Sequence, residues 1–556
     1  MIKKFPIIII IFLFVFSCKK GNSPTPTDPP VITPTSFQFS DLKVNGSFAG
    51  FTYYGLNNTP VIKITFSSPV NLTSVSGNVT LTDATGNSTA FTPTLENNDN
   101  TLVITPSASL QPITKYILIA NTGLLSKTGS KLQSSVVVNL ITAVDDIDKF
   151  ARISEEELLT LVQKQTFKYF WDFGHPTSGL ARERNTSGNT VTSGGSGFGI
   201  MALVTGISRN FISRADGLAR IQKIVAFLKT AERFHGAYPH WLDGNTGKVI
   251  PFSTKDNGGD LVETSYLMAG LITARQYFNS ADASETALRA DINTIYNGVE
   301  WSWYRKDNSN TLYWHWSPNY NWDMNLPIKG WNECLVTYVM AAASPTYSIP
   351  KTVYDNGWAQ NGAMKNGNSY YGVQLPLGVA NGGPLFFAHY SFMGINPKGL
   401  TDAYANYETQ TKAHTLINYN YCKANPMSYY GYGENCWGLT ASDIKNGYTA
   451  SAPGNDVGVI VPTAALSSFA YTPTESMQAL KYFYYKLGNK TWGEYGFYDA
   501  FSLQDQWFAS STLAIDQGPI IVMIENYRSN LIWNLFMSAP EVKTGMRSLG
   551  FSSPNL

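Results

Sequence analysis

Two rhythms of apolar and polar positions divide the chain. Between about residues 36 and 145, short alternating segments are separated by clusters of Gly, Asn, Asp and Ser; examples are Val61-Ile62-Lys63-Ile64-Thr65-Phe66, Val79-Thr80-Leu81-Thr82 and Thr101-Leu102-Val103-Ile104. Period-two alternation in pieces of that length predicts strands, and their regular spacing predicts an all-β sandwich over 36–145. After about residue 150 the period changes. Ser154-Glu155-Glu156-Glu157 reads as a capping box, and Leu158, Leu159, Val162, Phe167 and Phe170 follow at near-helical spacing. Further helices are expected near 198–212, 216–234, 260–278, 284–302, 331–344, 402–423, 474–487 and 518–537. Strand alternation is scarce here, and long loops of Gly, Asn and aromatic residues join the helices. Residues 150–552 therefore read as one large all-α domain that carries its function on the connecting loops.

The first 35 residues follow neither rhythm. Met1-Ile2-Lys3-Lys4 is basic, and Phe5 to Phe16 is an apolar run of signal-peptide length, too short to span a bilayer comfortably. It ends in Val15-Phe16-Ser17-Cys18, which resembles a lipobox, although Phe16 is larger than that pattern usually carries. The resemblance to bacterial lipoproteins implies that residues 1–18 are a signal and that Cys18 is lipidated. It also implies a protein anchored in the cell envelope, in the periplasm or at the outer membrane, touching the membrane only through that lipid. The alternative is an ordinary cleaved signal with a chance cysteine. From 19 to 35 the chain is polar and rich in proline (Gly21 to Pro34 reads GNSPTPTDPPVITP), which predicts an extended tether.

Charge narrows the partners. Forty Lys and Arg stand against 39 Asp and Glu, a net charge of +1, with no long basic run beyond the first residues. Nucleic acid is excluded, because phosphate binding needs a concentrated positive surface. Only 14% of residues are charged while 13% are aromatic, with 13 Trp and 32 Tyr. Neutral polar surface beside aromatic faces suits hydroxyl-rich, uncharged ligands such as sugars, although the same aromatics would serve equally to fill a large core.

Several chemistries can be removed. There is no G-x-S-x-G elbow and no H-E-x-x-H among the six histidines. Gly197-Phe198-Gly199-Ile200-Met201-Ala202 imitates a dinucleotide fingerprint but follows Ser193-Gly194-Gly195-Ser196 rather than a strand, with no acidic residue at the expected distance. Of the cysteines after Cys18, Cys422 and Cys436 could pair in an oxidising compartment or stay as buried thiols, leaving Cys334 alone.

What remains is carboxylates among aromatics. One group is Asp256-Asn257-Gly258-Gly259-Asp260-Leu261-Val262-Glu263. A second is Trp331-Asn332-Glu333, closing a segment that holds Trp301, Trp303, Trp314, Trp316 and Trp322. A third is Ile515-Asp516-Gln517-Gly518-Pro519. Glycoside hydrolysis needs two carboxyl groups in different environments, one protonated and one ionised, and aromatic platforms would stack on sugar rings. Each carboxylate also has a structural reading. Asp260 and Glu263 could form a capping box, Asp256 could serve a turn, and Asp516 could cap a helix beginning near Gly518. Glu333 is harder to explain as structure, since it opens the apolar run Cys334 to Tyr338.

Two resemblances follow from these motifs. Phe66-Ser67-Ser68-Pro69-Val70-Asn71, Leu102 to Pro106 and Leu110 to Tyr116 resemble bacterial Ig-like domains found beside extracellular enzymes, which implies a spacer or a glycan-binding accessory. Gly236 to Trp241, Asp256 to Thr264, Gly330 to Glu333, Gly382 to Phe386 and Ala514 to Tyr527 resemble glycoside hydrolase family 144, the glucoamylase-like bacterial β-1,2-glucanases. That likeness implies an (α/α)6 barrel, an inverting mechanism, no cofactor and no metal, and a substrate of β-1,2-linked glucose cut in endo or exo fashion. It places Asp256, Asp260, Glu263 and Glu333 in the cleft, with Trp241, His240, Trp331, Trp314 and Trp316 as substrate contacts. A monomer is expected.

Roles can then be assigned physically. Desolvation in a tryptophan-rich segment would keep Glu333 protonated as general acid. Asp260 at a helix N-terminus would stay ionised, as a base or as a hydrogen-bond acceptor for substrate, and Asp516 is the rival base. Other classes remain open at this point: a non-catalytic glycan-binding lipoprotein, a hydrolase of another β-glucan, and a polysaccharide lyase, although the neutral charge balance disfavours the last.

Overall fold

The computed structural model describes residues 36–556, so the signal, Cys18 and the tether lie outside the described residues. The chain divides into two compact units. Among the described residues the smaller comprises 36–51 with Pro60–Ala108 and Ile117–Asn139; the larger comprises Leu140–Leu556 with the short segments Thr52–Thr59 and Ser109–Tyr116.

Eight strands form the N-terminal sandwich: β1 (Phe39–Val44), β2 (Thr52–Leu56), β3 (Ile62–Phe66), β4 (Val79–Asp83), β5 (Phe91–Glu96), β6 (Thr101–Pro106), β7 (Lys115–Ala120) and β8 (Val136–Thr142). They make two four-stranded sheets, ordered β1-β3-β6-β5 and β2-β8-β7-β4. In β3, Ile62, Ile64 and Phe66 are buried while Lys63 and Thr65 are half-exposed, the one-face alternation that fixes strand register.

The larger unit is helical. It runs through α1 (Glu155–Trp171), α2 (Ser193–Ser208), α3 (Arg214–Thr230), α4 (Leu261–Tyr277), α5 (Ala283–Asn297), α6 (Leu335–Ala343), the short α7 (Lys351–Val353) and α8 (Phe386–His389), and α9 (Tyr407–Ala424). It continues with α10 (Pro462–Leu466), α11 (Pro473–Lys481), α12 (Gly488–Thr491), α13 (Ala514–Ser529), α14 (Leu531–Ser538) and α15 (Pro540–Leu549). The capping box at Ser154 is present in full: its hydroxyl accepts from the Glu157 amide, and the Glu157 carboxylate accepts from the Ser154 amide at 2.9 Å.

Two expectations about elements need correction. The stretch 518–537 is two helices, broken at Asn530 in the left-handed conformation, and α13 begins at Ala514 with Pro519 inside it. Asp516 therefore sits within the first turn and is not the cap, which is Leu513. Of the two readings open for Cys422 and Cys436, the structure has the buried thiols, and Cys334 is likewise free and buried.

The glycine run of α2 finds its explanation in packing. A Cβ on Gly197 would lie 2.2 Å from the Tyr266 carbonyl, and one on Gly270 would lie 2.2 Å from the Gly197 carbonyl. Helices α2 and α4 thus touch backbone to backbone, which only glycine permits at those positions. Both helices are buried along nearly their whole length and form the centre of the helical unit.

Candidate active site

Five helix beginnings converge on one cavity of about 440 Å³. Thr192 at the start of α2, Glu263 in the first turn of α4, Glu333 just before α6, Phe386 opening α8, and Leu513 with Ile515 at the start of α13 all line it. Helix N-termini carry partial positive charge and free amides, so carboxylates and hydroxyl-bearing ligands are both accommodated there. Trp241, Trp314, Phe252, Tyr266 and Tyr390 supply aromatic walls.

One wall is organised by Asp260. Its Oδ1 accepts from the amides of Val262 at 3.0 Å and Glu263 at 2.9 Å, making it the N-cap of α4. Its Oδ2 lies 3.2 Å from His240 Nδ1 and accepts from Trp314 Nε1 at 3.2 Å. The side chain is fully buried, so Asp260 is spent on holding two cavity residues. Glu263 does not turn back to complete a capping box. Its Oε2 instead accepts the Gly194 amide of α2 at 2.8 Å. Asp256 is also buried, and its Oδ1 lies 3.1 Å from His315 Nε2, off the line of a good hydrogen bond.

Burial would push the His240 imidazole down, but Glu263, then Asp260 and Asp256, more than reverse it and raise it to about 9. The ring is therefore an imidazolium near neutral pH. Burial raises Glu263, opposed by that imidazolium. His240, Asp256 and Asp260 bring ligand atoms within 4.8 Å of one another, close enough for a cation. Asp260, however, has both oxygens engaged by protein donors, and His240 faces it as a donor, so the cluster is closed as a hydrogen-bond network.

Glu333 stands at the turn before α6, held by its carbonyl, which accepts from the hydroxyls of Ser391 and Tyr266. Burial, with Glu263 and Asp260 adding negative potential, raises its carboxyl to about 7. The Trp331 indole packs in the core against Phe392 and Tyr407 and donates to His414 Nδ1 at 3.3 Å. Trp316 likewise packs against His235 and Trp303 rather than lining the cavity. Trp241, His240 and Trp314 do line it.

The facing wall was not legible from the sequence. Arg184 donates to both carboxylate oxygens of Asp443 at 3.1 Å and pairs with Glu183, and Arg184, Glu183 and Tyr448 all face the cavity. Asp443 and Tyr448 are opposed residues of the Ala441–Ile444 and Gly447–Ala450 hairpin. Behind them Asp516 is buried, and its charge is the foremost electrostatic influence on the hydroxyls of Tyr390 and Tyr448.

Comparison with known proteins agrees with this architecture. Residues 325–540 match the family model described as putative glucoamylase, and residues 52–141 match that of the bacterial Ig-like domain. The chain is 48% identical over 419 residues to an exo β-1,2-glucooligosaccharide sophorohydrolase of Parabacteroides distasonis, which covers 71% of this chain and 58% of that protein. The chain thus spans little more than half the length of that curated relative. It resembles the crystal structure of an endo-β-1,2-glucanase from Chitinophaga pinensis, in complex with sophorotriose and glucose, at 54% identity and a TM-score of 0.72, covering 73% of this chain and 100% of that one. A β-1,2-glucanase from Parabacteroides distasonis superposes with a TM-score of 0.70 at 37% identity, over 94% of this chain and 74% of that one. The chain belongs to the glucoamylase-like family its motifs resemble, glycoside hydrolase family 144, and carries a bacterial Ig-like domain ahead of the helical one.

Proposed function

We propose that this protein is an inverting glycoside hydrolase acting on β-1,2-linked glucan or glucooligosaccharides, with its helical part an (α/α)6 barrel. Supporting the barrel, α2, α4, α6, α8, α10 and α13 alternate along the chain with α1, α3, α5, α7, α9 and α11. The observation that carries the chemistry is Glu333, a cavity-lining carboxyl raised to about 7, so that it holds a transferable proton near neutral pH. The linkage comes from the relatives, which are named for β-1,2-glucans. The two cavity cations, Arg184 and His240, are each tied to carboxylates, which fits a neutral sugar better than the uronic acid of a lyase.

In this reading Glu333 protonates the leaving glycosidic oxygen while a water attacks the anomeric carbon from the opposite face. Glu263 and Asp260 share the acid's wall and raise its proton affinity, so they poise it. The proton acceptor belongs on the other wall, where Asp516 underlies the cavity tyrosines. Asp260 becomes a positioning residue for His240 and Trp314. We further propose, from the N-terminal pattern alone, that Cys18 anchors the protein in the cell envelope.

The test is digestion of linear β-1,2-glucan by the full chain, with the anomer of the fresh product followed by NMR. New reducing ends that appear first as the α-anomer support the reading. Binding without cleavage would make the protein a glycan-binding module, and an unsaturated product absorbing in the near ultraviolet would make it a lyase.

A further inference from the structure

Asp499 lies outside the motifs that point to the site, yet the structure buries it with Asp516, each 2% exposed. Asp499 Oδ1 and Asp516 Oδ2 meet no N–H or O–H donor among the described residues, and the two carboxyls are near enough to hydrogen-bond to each other. Two carboxylates can make that bond only if a proton lies between them. The other oxygen of Asp499 accepts the Asp443 amide at 2.6 Å, and Thr463 fastens the Asp516 main chain by donating to its carbonyl at 2.8 Å. Asp443 in turn holds Arg184 on the cavity wall and accepts from Ser511 Oγ at 2.6 Å.

We infer that Asp499 and Asp516 share one proton and work as a single monoanionic unit beneath the cavity, with Asp499 the positioning residue that sets the proton affinity of Asp516. The inference rests on the hydrolase reading and deepens its base side. Burial first, and then Asp499, push the Asp516 carboxyl far up; burial also raises Asp499, opposed by the Asp443 amide. The other charged and titratable groups that face the pair are Asp443 and Arg184, with the hydroxyls of Tyr448, Tyr390 and Tyr169. A pair of this kind titrates as a unit, with two macroscopic steps that belong to neither residue alone.

The proton balance is complete. As the water oxygen bonds to the anomeric carbon, one of its O–H bonds breaks and that proton joins the pair, which passes from one proton to two. The glycosidic bond breaks, and its oxygen takes the proton of Glu333. Exchange with solvent then reloads Glu333 and discharges the pair.

Asp499→Asn keeps the shape and can still donate to Asp516, but it cannot share a proton. The one-proton pair loses the carboxylic O–H that donates to ionised Asp516, and the amide N–H that replaces it is the weaker donor. The acid limb of the kcat profile on β-1,2-glucan should therefore move up by about one pH unit. At neutral pH kcat should fall about tenfold with KM little changed. An acid limb that stays in place or moves down overturns the inference, and a lowered melting temperature alongside it would make the role structural. Infrared spectra at pH 7 give a second reading independent of turnover. Followed upward from there, the protonated-carboxyl band of the wild-type pair should persist to higher pH than the band of Asp499→Asn or Asp516→Asn, and equal persistence in either variant overturns the inference. Glu333→Gln is the control: if it too leaves hydrolysis intact, the hydrolase reading itself has failed.

Discussion

His240 Nδ1 stands 3.2 Å from Asp260 Oδ2, and the opposite oxygen of the same carboxylate caps α4 through the amides of Val262 and Glu263. A helix start and a cavity cation are thus fastened to one buried side chain. The cap is a local feature of the sequence. Its connection to His240 depends on the ladder that pairs Gly259–Asp260 with His315–Trp316, and on the one that pairs Trp241 with Thr192.

Asp260→Asn separates the two duties. The amide oxygen can still cap α4, but the amide NH2 then meets the donors of His240 and Trp314 and should cost about 1–3 kcal/mol, whereas Asp260→Ala should lose about 1 kcal/mol more with the cap. The charge facing His240 is lost in both. The imidazole, raised to about 9 by its three carboxylates, should titrate lower in Asp260→Asn, as measured by NMR of the His240 ring. Turnover should fall at least about tenfold, because His240 and Trp314 lose their common anchor.

Gly194→Ala tests the contact between α2 and Glu263. A Cβ there would lie 2.3 Å from Glu263 Oε2 and 2.9 Å from the Tyr266 ring. The variant should fold, with a loss of about 1–3 kcal/mol from overpacking. Displacing a cavity carboxylate by even a fraction of an ångström should lower kcat by about tenfold or more. Wild-type kinetics in a folded variant would show that the position of Glu263 is not critical.

How much of this could be read from the chain depended on distance along it. Ser154 with Glu157, and Asp260 with the α4 amides, are contacts across three residues, and sequence spacing exposes them. The Arg184–Asp443 and Asp499–Asp516 contacts join segments that are separate in sequence, so no local pattern marks them. Helices α8 and α10 are too short to show a 3.6-residue period, and α10 is buried throughout. Trp331 and Trp316 were misplaced because richness in tryptophan does not say which face a ring presents. The start of α13 was misread because Gly518-Pro519 looks like a helix opening, while Pro519 lies inside the helix.

Glu525 predicts a pH-dependent stability. Its side chain is 1% exposed and takes two bonds from Arg209, at 2.7 and 3.0 Å, besides bonds from Gln163 and Ser529. Burial would raise this carboxyl, but the donors from Arg209, Ser529 and Gln163 bring it below the ordinary Glu value. A depressed carboxyl contributes stability that is full above its unfolded pKa and is lost as pH falls through the folded one. Glu525→Gln should therefore lower the melting temperature at pH 7, by about 2–4 kcal/mol of stability, and the gap to wild type should narrow on acidification below about pH 4. A gap that is constant with pH would remove the electrostatic explanation.

Cys18→Ser tests the proposed anchor. With an apolar run and Ser17 ahead of it, Cys18 should carry the lipid that retains the protein in the membrane fraction. The variant should move to the soluble fraction of the envelope with unchanged specific activity. Unaltered membrane association would refute the lipoprotein reading and leave the catalytic one untouched.

Glu333→Gln is the decisive variant for the mechanism. The substitution preserves volume and the hydrogen bonds to the Glu333 carbonyl from Ser391 and Tyr266, so the turn before α6 should persist. It removes only the proton that a leaving oxygen needs, a contribution typically of about 10²–10⁴-fold. Hydrolysis of β-1,2-glucan should collapse while oligosaccharide affinity, measured by calorimetry, survives on Trp241 and Trp314. Because burial raises Glu333 to about 7, the alkaline limb of the wild-type profile should fall near neutrality, well above a free glutamate. Glu263→Gln removes one of the carboxylates that push Glu333 up and should move that limb downward. A limb that ignores Glu263, together with a Glu333→Gln enzyme keeping more than about a tenth of its turnover, would take the acid role from Glu333 and leave it a substrate-positioning residue.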